Sequence, residues 1–268
     1  MKIQSEVKCG PADVSKRIRA FLVGAALVLC LTTANRAAAQ AGPATVFLGT
    51  AGTFAALSYA GVTNTGPSVV TGDLGTYPTA SCTGLPTPCT GNGPGQVNGT
   101  IDDADVVAQH AQASLLIAYN DAKGRTTAPV TVAGDLGGRT LTPGLYKSTS
   151  SLALTGTVTL HGSGVYIFQI ASALTVSNGG TVVLSGGATA DNVFWQVGSS
   201  ASLGTTADFN GTIMALASVT LATGARLNGR ALALNGDVTL ESNSVTVPIG
   251  SNTIIVVLPP PPPHHRGD

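Results

Sequence analysis

Residues 201–234 read ASLGTTADFNGTIMALASVTLATGARLNGRALAL, with three charged side chains and no apolar stripe at helical spacing. Short apolar segments alternate with Gly and small polar residues, which is typical of β-strands joined by tight turns. The composition of the 268-residue chain fits this pattern, because it contains 34 Gly and 15 Pro while only 10% of its residues are charged and 4% aromatic. This composition favours a mainly β fold and argues against a helical bundle or a disordered polyelectrolyte.

Three kinds of short segment recur in a fixed order, and we call them the first, second and third columns. The first column is VYIFQI (165–170), NVFWQV (192–197), GTIMAL (211–216) and GRALAL (229–234). The second is SALTVS (172–177), SASLGT (200–205), SVTLAT (218–223) and DVTLES (237–242). The third is TVVLSG (181–186), ADFNG (207–211), ARLNG (225–229) and NSVTV (243–247). Three strands per turn predict a three-sided β-solenoid, or β-helix.

The columns differ in how apolar residues alternate. In the second column Val and Leu occupy one phase and Ser, Thr or Ala the other, so we expect one buried side and one small-residue outer surface. The first column is apolar on nearly both phases, as in Val193–Val197, which indicates a sheet covered on both sides. The third carries His161, Asp208, Asn210, Arg226 and Asn228.

One long α-helix alongside the solenoid is the predicted cover for the first column. In GTIDDADVVAQHAQASLLIAYNDAKGR (99–125), apolar residues recur at helical spacing: Ala104, Val107, Ala108, Ala111, Leu115, Ala118 and Ala122. We predict a helix over about 102–123, capped by Thr100 and Asp103, with acids in its first turn and an end at Gly124. The GDLG sequences at 72–75 and 134–137 suggest equivalent corners on either side of an inserted cap loop and helix, residues 76–129.

The first 39 residues have the pattern of a secretory signal peptide. An apolar run, AFLVGAALVLCL (20–31), precedes a small-residue cleavage site near Ala39 and follows basic residues at Lys2, Lys8, Lys16, Arg17 and Arg19. A membrane anchor is the alternative, although this run is shorter than the roughly 20 residues that span a bilayer. We therefore expect a secreted, extracellular protein with no membrane insertion. Residues 251–268 form a separate Pro-rich C-terminal tail.

Export removes much of the positive charge and two of the four cysteines. Six of the 13 basic and two of the 13 acidic residues lie in 1–39, which leaves seven basic against eleven acidic residues. This balance gives no electrostatic footprint for nucleic acid. Cys82 and Cys89 remain, in SCTGLPTPC, and in an oxidising compartment they predict a local disulfide that contributes roughly 2–3 kcal/mol. We expect this cap loop to lie off the small-residue surface.

The order of these motifs resembles the microbial ice-binding-protein family of bacteria, fungi and diatoms. The resemblance runs from about Val46 to Val247 and includes LGTAGTFAALSYAGVTNTGPSVVTGDLG (48–75), VNGTIDDADVVAQHAQASLLIAYNDA (97–122), LGGRTLTPGLYK (136–147), NVFWQVGSSASLGT (192–205) and LNGRALALNGDVTL (227–240). It implies a right-handed, discontinuous β-solenoid domain over 40–250, with a helix alongside, a cap at one end and one flat ice-adsorbing side. It implies no catalytic residues and no cofactor, with the ice surface and its ordered water as partner. We expect no metal site, because zinc would need four ligands and no His lies near Cys82 and Cys89.

A solenoid side suits this task because its strands form a two-dimensional lattice. Neighbouring strands lie about 4.8 Å apart and alternate residues about 6.6–6.8 Å apart, and short Thr side chains lose little rotamer freedom when their water orders. We predict that the second column contacts ice, with Thr175, Ser202 and Thr220 near its centre. The predicted set is Ala153, Thr155, Thr175, Ser177, Ser202, Ser218, Thr220, Ala222 and Thr239, with Thr63 and Thr65 if GVTNTG stacks beside them.

Two other function classes stay open. A cell-surface structural, adhesion or polysaccharide-binding module is the first, because the Pro-rich tail could link the domain to another one. An extracellular β-solenoid polysaccharidase is the second, and it needs a clustered acid pair or a metal site. Asp102, Asp103 and Asp105 are interpreted as helix-capping residues, and the dispersed histidines show no catalytic or metal-ligand spacing. We therefore expect a non-enzymatic protein and a monomer.

Overall fold

The computed structural model describes residues 42–250, so the predicted signal peptide (1–39) and the tail (251–268) lie outside the described residues. The chain winds into coils of three short strands, and all strand pairs are parallel. An eight-stranded sheet forms one side, and a fifteen-stranded sheet forms the other two. The larger sheet turns a corner within Asp208–Ala215 and Arg226–Ala233, which each supply a strand to two sides. The predicted three-sided solenoid is confirmed.

The strands stack in an order that differs from their order in the chain. The first column comprises Val130–Thr131, Gly144–Ser148, Tyr166–Ile170, Val193–Val197, the second halves of the two corner strands, Phe54–Ser58, Asp73–Thr76 and Ile101–Asp103. The second column comprises Gly134–Asp135, Leu152–Leu154, Leu174–Val176, Ala201–Leu203, Val219–Leu221, Asp237–Glu241, Gly61–Thr65 and Cys82–Thr83. The third comprises Thr140–Leu141, Thr157–His161, Thr181–Ser185, the first halves of the corner strands, Ser244–Thr246, Val69–Thr71 and Gln96–Asn98. The N-terminal coils thus stack on the last C-terminal coil, which makes the solenoid discontinuous as predicted.

The corner between the third and first columns depends on glycine. Gly211 has φ +114°, and a Cβ at Gly229 would lie 1.9 Å from the Gly211 carbonyl oxygen. No side chain fits between backbones that approach this closely. The two neighbouring corners therefore stack directly, and the strands continue from one side of the solenoid to the next.

The interior is filled by side chains from all three columns. The first column contributes a ladder of aromatic rings, in which Tyr146, Phe168 and Trp195 stack with centroids 5.1 and 3.9 Å apart. Phe209 packs on Trp195 from the third column. Leu, Val and Ala from the second column close the core. Large rings deliver much buried apolar area per residue, which suits a chain with few aromatic residues.

A single described α-helix, Val106–Gly124, covers the first column. A 3₁₀ turn at Gly49–Thr53 packs against the helix, and another at Ala190–Asn192 leads into the strand Val193–Val197. The predicted cover is confirmed. The predicted start and the predicted caps Thr100 and Asp103 are wrong, whereas Asp105, one of the three acids interpreted as capping residues, does cap the helix. Ile101–Asp103 pairs with Asp73–Thr76 as a strand, and Asp105 is the N-cap, its carboxylate accepting a hydrogen bond from the Ala108 N–H at 2.9 Å. The acids precede the helix because they finish a coil before the chain leaves the sheet.

The helix buries the side that is formed mainly by alanines, as the spacing of these alanines predicts. Ala108, Ala111, Leu115, Ala118 and Ala122 are buried, whereas Val107 is 47% exposed and Ala104 precedes the helix. Gln112 and Tyr119 are also buried. Among the described residues, no helix combines the length and the hydrophobicity that crossing a membrane requires.

The segment 76–129 contains more than a cap loop and a helix. Cys82–Thr83, Gln96–Asn98 and Ile101–Asp103 add one strand to each column at the end of the stack. The two GDLG sequences are not equivalent corners, because Asp73 begins a first-column strand while Asp135 lies in the second column. A two-residue strand has too few alternating positions to be recognised from sequence.

Candidate functional site

The second column presents an unbroken ladder of outward side chains. Seven register pairs connect eight consecutive strands without a shift along this line: Asp135, Ala153, Thr175, Ser202, Thr220, Thr239, Thr63 and Thr83. Parallel strands place these side chains about 4.8 Å apart. The outer surface therefore repeats at a constant interval along the solenoid axis.

Two further lines lie beside this ladder, two residues away on each strand. One line contains Ser151, Ala173, Ser200, Ser218, Asp237, Gly61 and Ser81, and the other contains Thr155, Ser177, Gly204, Ala222, Glu241 and Thr65. We call the three lines together the grid, and the residues of one strand a row. The lines are about 6.6–6.8 Å apart across each row, so the grid is a rectangular lattice.

Protein hydrogen bonds fix the edges of the grid and leave its centre to solvent. The Ser177 hydroxyl donates to the Leu154 carbonyl at 3.1 Å, and the Ser218 hydroxyl accepts from the Asp237 N–H at 3.2 Å. Within residues 42–250, the hydroxyls of Thr175, Ser202 and Thr220 have no protein partner, and all three side chains are exposed. Water is the remaining hydrogen-bond partner for this central line.

A rigid support lies directly beneath the grid. Residues of opposite phase, such as Leu174, Val219 and Leu221, are fully buried in the core. Their neighbours on the grid therefore cannot rotate inward without exposing apolar area, at roughly 25 cal/mol per Å². The strand backbone consequently holds the grid residues at fixed heights.

Carboxylates bound the grid on two rows. Asp135 occupies the first row, where hydrogen bonds from the Gly137 and Thr155 N–H groups lower the pKa of its carboxyl. Asp237 and Glu241 lie on either side of Thr239, and both are exposed. Between these rows, the rows of Ala153, Thr175, Ser202 and Thr220 contain only Ser, Thr, Ala and Gly. The uncharged stretch between the two charged rows is thus four rows long.

The other two sides lack such a surface. The helix covers the first column, whereas the third exposes His161, Asp208, Arg226 and Asn228 as predicted. Asn228 donates a hydrogen bond to Asn210 at 2.9 Å. Long and charged groups make the third column uneven, so the second column alone combines small side chains with an open surface among the described residues. No cluster of three or more His, Cys, Asp or Glu side chains suited to a metal occurs within 42–250.

The family comparison gives this lattice its context. A family model described as ice-binding-like matches residues 56–246, which include every coil from Phe54–Ser58 to Ser244–Thr246 almost completely. The chain belongs to the ice-binding-like family. Its match covers strands of all three columns and the helix, so family membership applies to the whole solenoid rather than to one motif.

Individual ice-binding proteins match this chain over most of their own length. An ice-binding protein of Nostoc sp. (strain HG1) is 43% identical over 227 residues, which cover 82% of this chain and 81% of that protein. The crystal structure of an ice-binding protein from an Antarctic biological consortium superposes with a TM-score of 0.74 at 48% identity, covering 78% of this chain and 94% of that one. An ice-binding protein from Arctic yeast, described as having antifreeze activity, gives a TM-score of 0.72 at 36% identity, covering 77% and 96%.

In this ice-binding-like protein the eleven residues predicted to contact ice all occupy grid positions. Seven lie within second-column strands: Thr63, Thr65, Ala153, Thr175, Ser202, Thr220 and Thr239. The other four, Thr155, Ser177, Ser218 and Ala222, lie immediately beside strand ends. Thr63 and Thr65 join through the pairing of Gly61–Thr65 with Asp237–Glu241. Their contact with ice stays a prediction.

Sequence reasoning missed several members of the grid. Ser200 has the same alternation phase as Ser202, and Asp237 and Glu241 the same phase as Thr239, so the signal was present. Thr83 was missed because it lies in the cap loop. The predicted Cys82–Cys89 disulfide is confirmed, but its predicted position is wrong: Cys82–Thr83 pairs with Gly61–Thr65 and extends the second column. The buried cysteines thus fasten the end of the grid itself.

Proposed function

We propose that this protein binds ice through the grid and thereby inhibits ice growth and recrystallisation. The observation that carries this proposal is the set of four consecutive uncharged rows on a rigid, in-register sheet, in a chain of the ice-binding-like family. Ala153, Thr175, Ser202 and Thr220 form its central line. Relatives of similar length are named ice-binding proteins, which supports the same activity here.

The physical argument concerns ordered water. The outward hydroxyls of the central line hydrogen-bond to water, while the methyl groups of Thr limit where that water can lie. Because the side chains already have fixed positions, little conformational entropy is lost when the water layer becomes continuous with a crystal. A flexible Lys or Glu surface would lose much more, at up to about 2 kcal/mol per ordered side chain.

The proposal extends to where the protein acts and to what it does not do. The signal-peptide pattern in residues 1–39 supports export, so we propose that the protein meets ice outside the cell. We also propose adsorption without catalysis, with an ice surface rather than a nucleic acid or a membrane interior as its partner. The net negative balance outside residues 1–39 supports the exclusion of nucleic acid.

The direct test is Thr220→Tyr, measured as the freezing-point gap and as the shape of a single growing ice crystal. Thr220 lies in the central line, exposed, between Ser202 and Thr239. A Tyr ring would rise above its neighbours and hold the adjoining rows away from the lattice. We expect at least about a tenfold loss of activity, since a tenfold effect needs only about 1.4 kcal/mol of adsorption energy.

The matched control is Thr246→Tyr, the same substitution at an exposed site in the third column. Asn228→Tyr is a second control on that side. Both should keep the wild-type freezing-point gap, and all three variants should keep the wild-type melting temperature. Loss of activity in the controls but not in Thr220→Tyr would move the site to the third column. Purified wild-type protein that leaves ice growth unchanged would instead favour the surface-module alternative.

A further inference from the structure

We infer that Asp237 and Glu241 limit the ice-contacting area, because they divide the grid into a four-row patch and a separate patch formed by Thr63, Thr65 and Thr83. This inference rests on the proposed function. It assigns the two carboxylates a negative role in the activity, so that their removal should increase it. It also identifies a part of the grid that the wild-type protein leaves unused.

The geometry of the three rows supports this division. Asp237 and Glu241 occupy the two outer lines of one row, with Thr239 between them. Gly61, Thr63 and Thr65 occupy the next row, in register with Asp237, Thr239 and Glu241; Gly61 is buried there, and Thr63 and Thr65 form the exposed surface. Ser81 and Thr83 follow one row further. The charged row therefore separates four small-residue rows from two more rows at the capped end.

Both carboxylates are directed to solvent and lack compensating cations. Their residues are exposed, and neither forms an ion pair with any residue between 42 and 250. Each carboxylate oxygen accepts several hydrogen bonds and binds its own water strongly. Water arranged around a charge does not match a lattice in which every molecule has four hydrogen-bonded neighbours. Ice that contacts Thr220 is thus held off at the next row, about 4.8 Å away.

Neither carboxylate supports the fold through its side chain in the described residues. The backbone N–H of Asp237 donates to the Ser218 hydroxyl, and the backbone N–H of Glu241 donates to the Asn243 side chain. Both contacts survive a change of side chain. Asp135, by contrast, accepts two backbone hydrogen bonds at the other end of the grid, so its carboxylate has a structural role. Only the internal pair can be replaced without cost to the coil.

The test is the double variant Asp237→Ser, Glu241→Thr, compared with the wild type by freezing-point gap and by the lowest concentration that stops recrystallisation. Seven continuous rows replace four, so we expect the effective concentration to fall by about twofold or more, following the enlarged contact area. Asp237→Asn, Glu241→Gln removes the charges with almost the same shape. This second variant should give part of the increase in activity, and it keeps the test decisive if Asp237→Ser, Glu241→Thr folds poorly.

Asp208→Ser is the matched control, because it removes an exposed carboxylate from the third column. It should leave the activity unchanged. If the wild type is active and both double variants keep its activity and melting temperature, the carboxylates do not limit the contact area, and the inference is overturned while the proposed function stands. If the wild type itself does not affect ice, both fall together.

Discussion

Asp102 is a buried carboxyl group that the fold places among other acids. It lies in the strand Ile101–Asp103 at the foot of the helix, and burial, together with the charges of Asp105 and Asp73, raises its pKa to about 6. A carboxyl whose pKa is raised in the folded state binds its proton more tightly there than in the unfolded chain. Its favourable contribution is therefore complete below about pH 4 and is lost as the pH rises through 6.

Asp102→Asn is accordingly expected to stabilise the protein at neutral pH. Asn has nearly the same shape but never ionises, so the buried charge disappears. We expect the free energy of unfolding at pH 7.5 to rise by about 1–2 kcal/mol, and the difference from wild type to shrink towards zero at pH 4. Thermal melts over this pH range measure both effects. Asp103→Asn, which replaces the charged acceptor of the Thr76 hydroxyl with a neutral amide oxygen, should not stabilise at any of these pH values.

At the residue scale, sequence predicts which side chains point outward but not which lines they join. Strict alternation identified Thr175, Ser202 and Thr220 because each lies between two buried aliphatic residues. Neighbours across strands depend on turn lengths that vary along the chain. The sequence therefore shows that Asp237 and Glu241 flank Thr239, whereas the strand register is needed to show that this charged row lies inside the grid.

The helix is held near both ends by polar side chains that connect it to the sheet, one from the helix itself and one from a first-column strand. Gln112 donates to the Ala233 carbonyl at 3.2 Å near its start. Near its end, the buried Gln169 donates to the carbonyls of Ala122, Lys123 and Arg125 at 2.7–3.1 Å. The last carbonyls of a helix have no partner within it, so a first-column strand provides the C-terminal cap.

Gln169→Leu tests this contact between sheet and helix. The substitution keeps most of the volume but leaves buried carbonyl oxygens without a donor, so we expect the free energy of unfolding to fall by about 2 kcal/mol. Hydrogen exchange should accelerate in the last turn of the helix and stay unchanged in second-column strands. A destabilisation without faster exchange in that turn would contradict a capping role. The freezing-point gap should not change, because the helix and the grid lie on different sides.

At the element scale, the helix and most strands follow from periodicity, while helix boundaries and the cap do not. The Ala-rich spacing predicted the buried surface of the helix, yet tertiary pairing took Ile101–Asp103 into the sheet and moved the cap to Asp105. The polar groups of Gln112 and Tyr119 would favour an exposed position on an isolated helix. Both side chains are buried here because the sheet provides hydrogen-bond partners for them.

The whole molecule depends on a junction between distant parts of the chain. Phe54–Ser58 pairs with Arg226–Ala233, and Gly61–Thr65 pairs with Asp237–Glu241. Arg230 reinforces the junction: fully buried, it donates to the Gly52 carbonyl at 2.8 Å and to the Thr212 hydroxyl at 3.1 Å. Burial lowers its pKa to about 10, and the nearby charge of Asp191 opposes this shift. The guanidinium therefore stays protonated at neutral pH.

Arg230→Met should loosen the junction and destabilise the whole solenoid. The buried Gly52 carbonyl and the Thr212 hydroxyl would each lose a charged donor, so we expect a loss of about 3 kcal/mol or more. Urea unfolding followed by fluorescence of Trp195, the single tryptophan, measures the loss. Arg226→Met, the same substitution at an exposed site in the third column, should be nearly neutral. Wild-type stability in Arg230→Met would contradict the role of this contact.

The discontinuous stacking also delays the folding of the newly synthesised chain, because strands that pair are made far apart in time. The coil that begins at Phe54 is synthesised first, but the strands on which it stacks, at 226–246, follow some 170 residues later. At about 5–20 residues per second this delay lasts roughly 10–30 s. Throughout it, the apolar segment Phe54–Ser58 can pair with Asp73–Thr76 along one edge, but its other edge lacks the strand Arg226–Ala233. Such a chain is suited to a route that carries proteins unfolded and lets them fold only when complete.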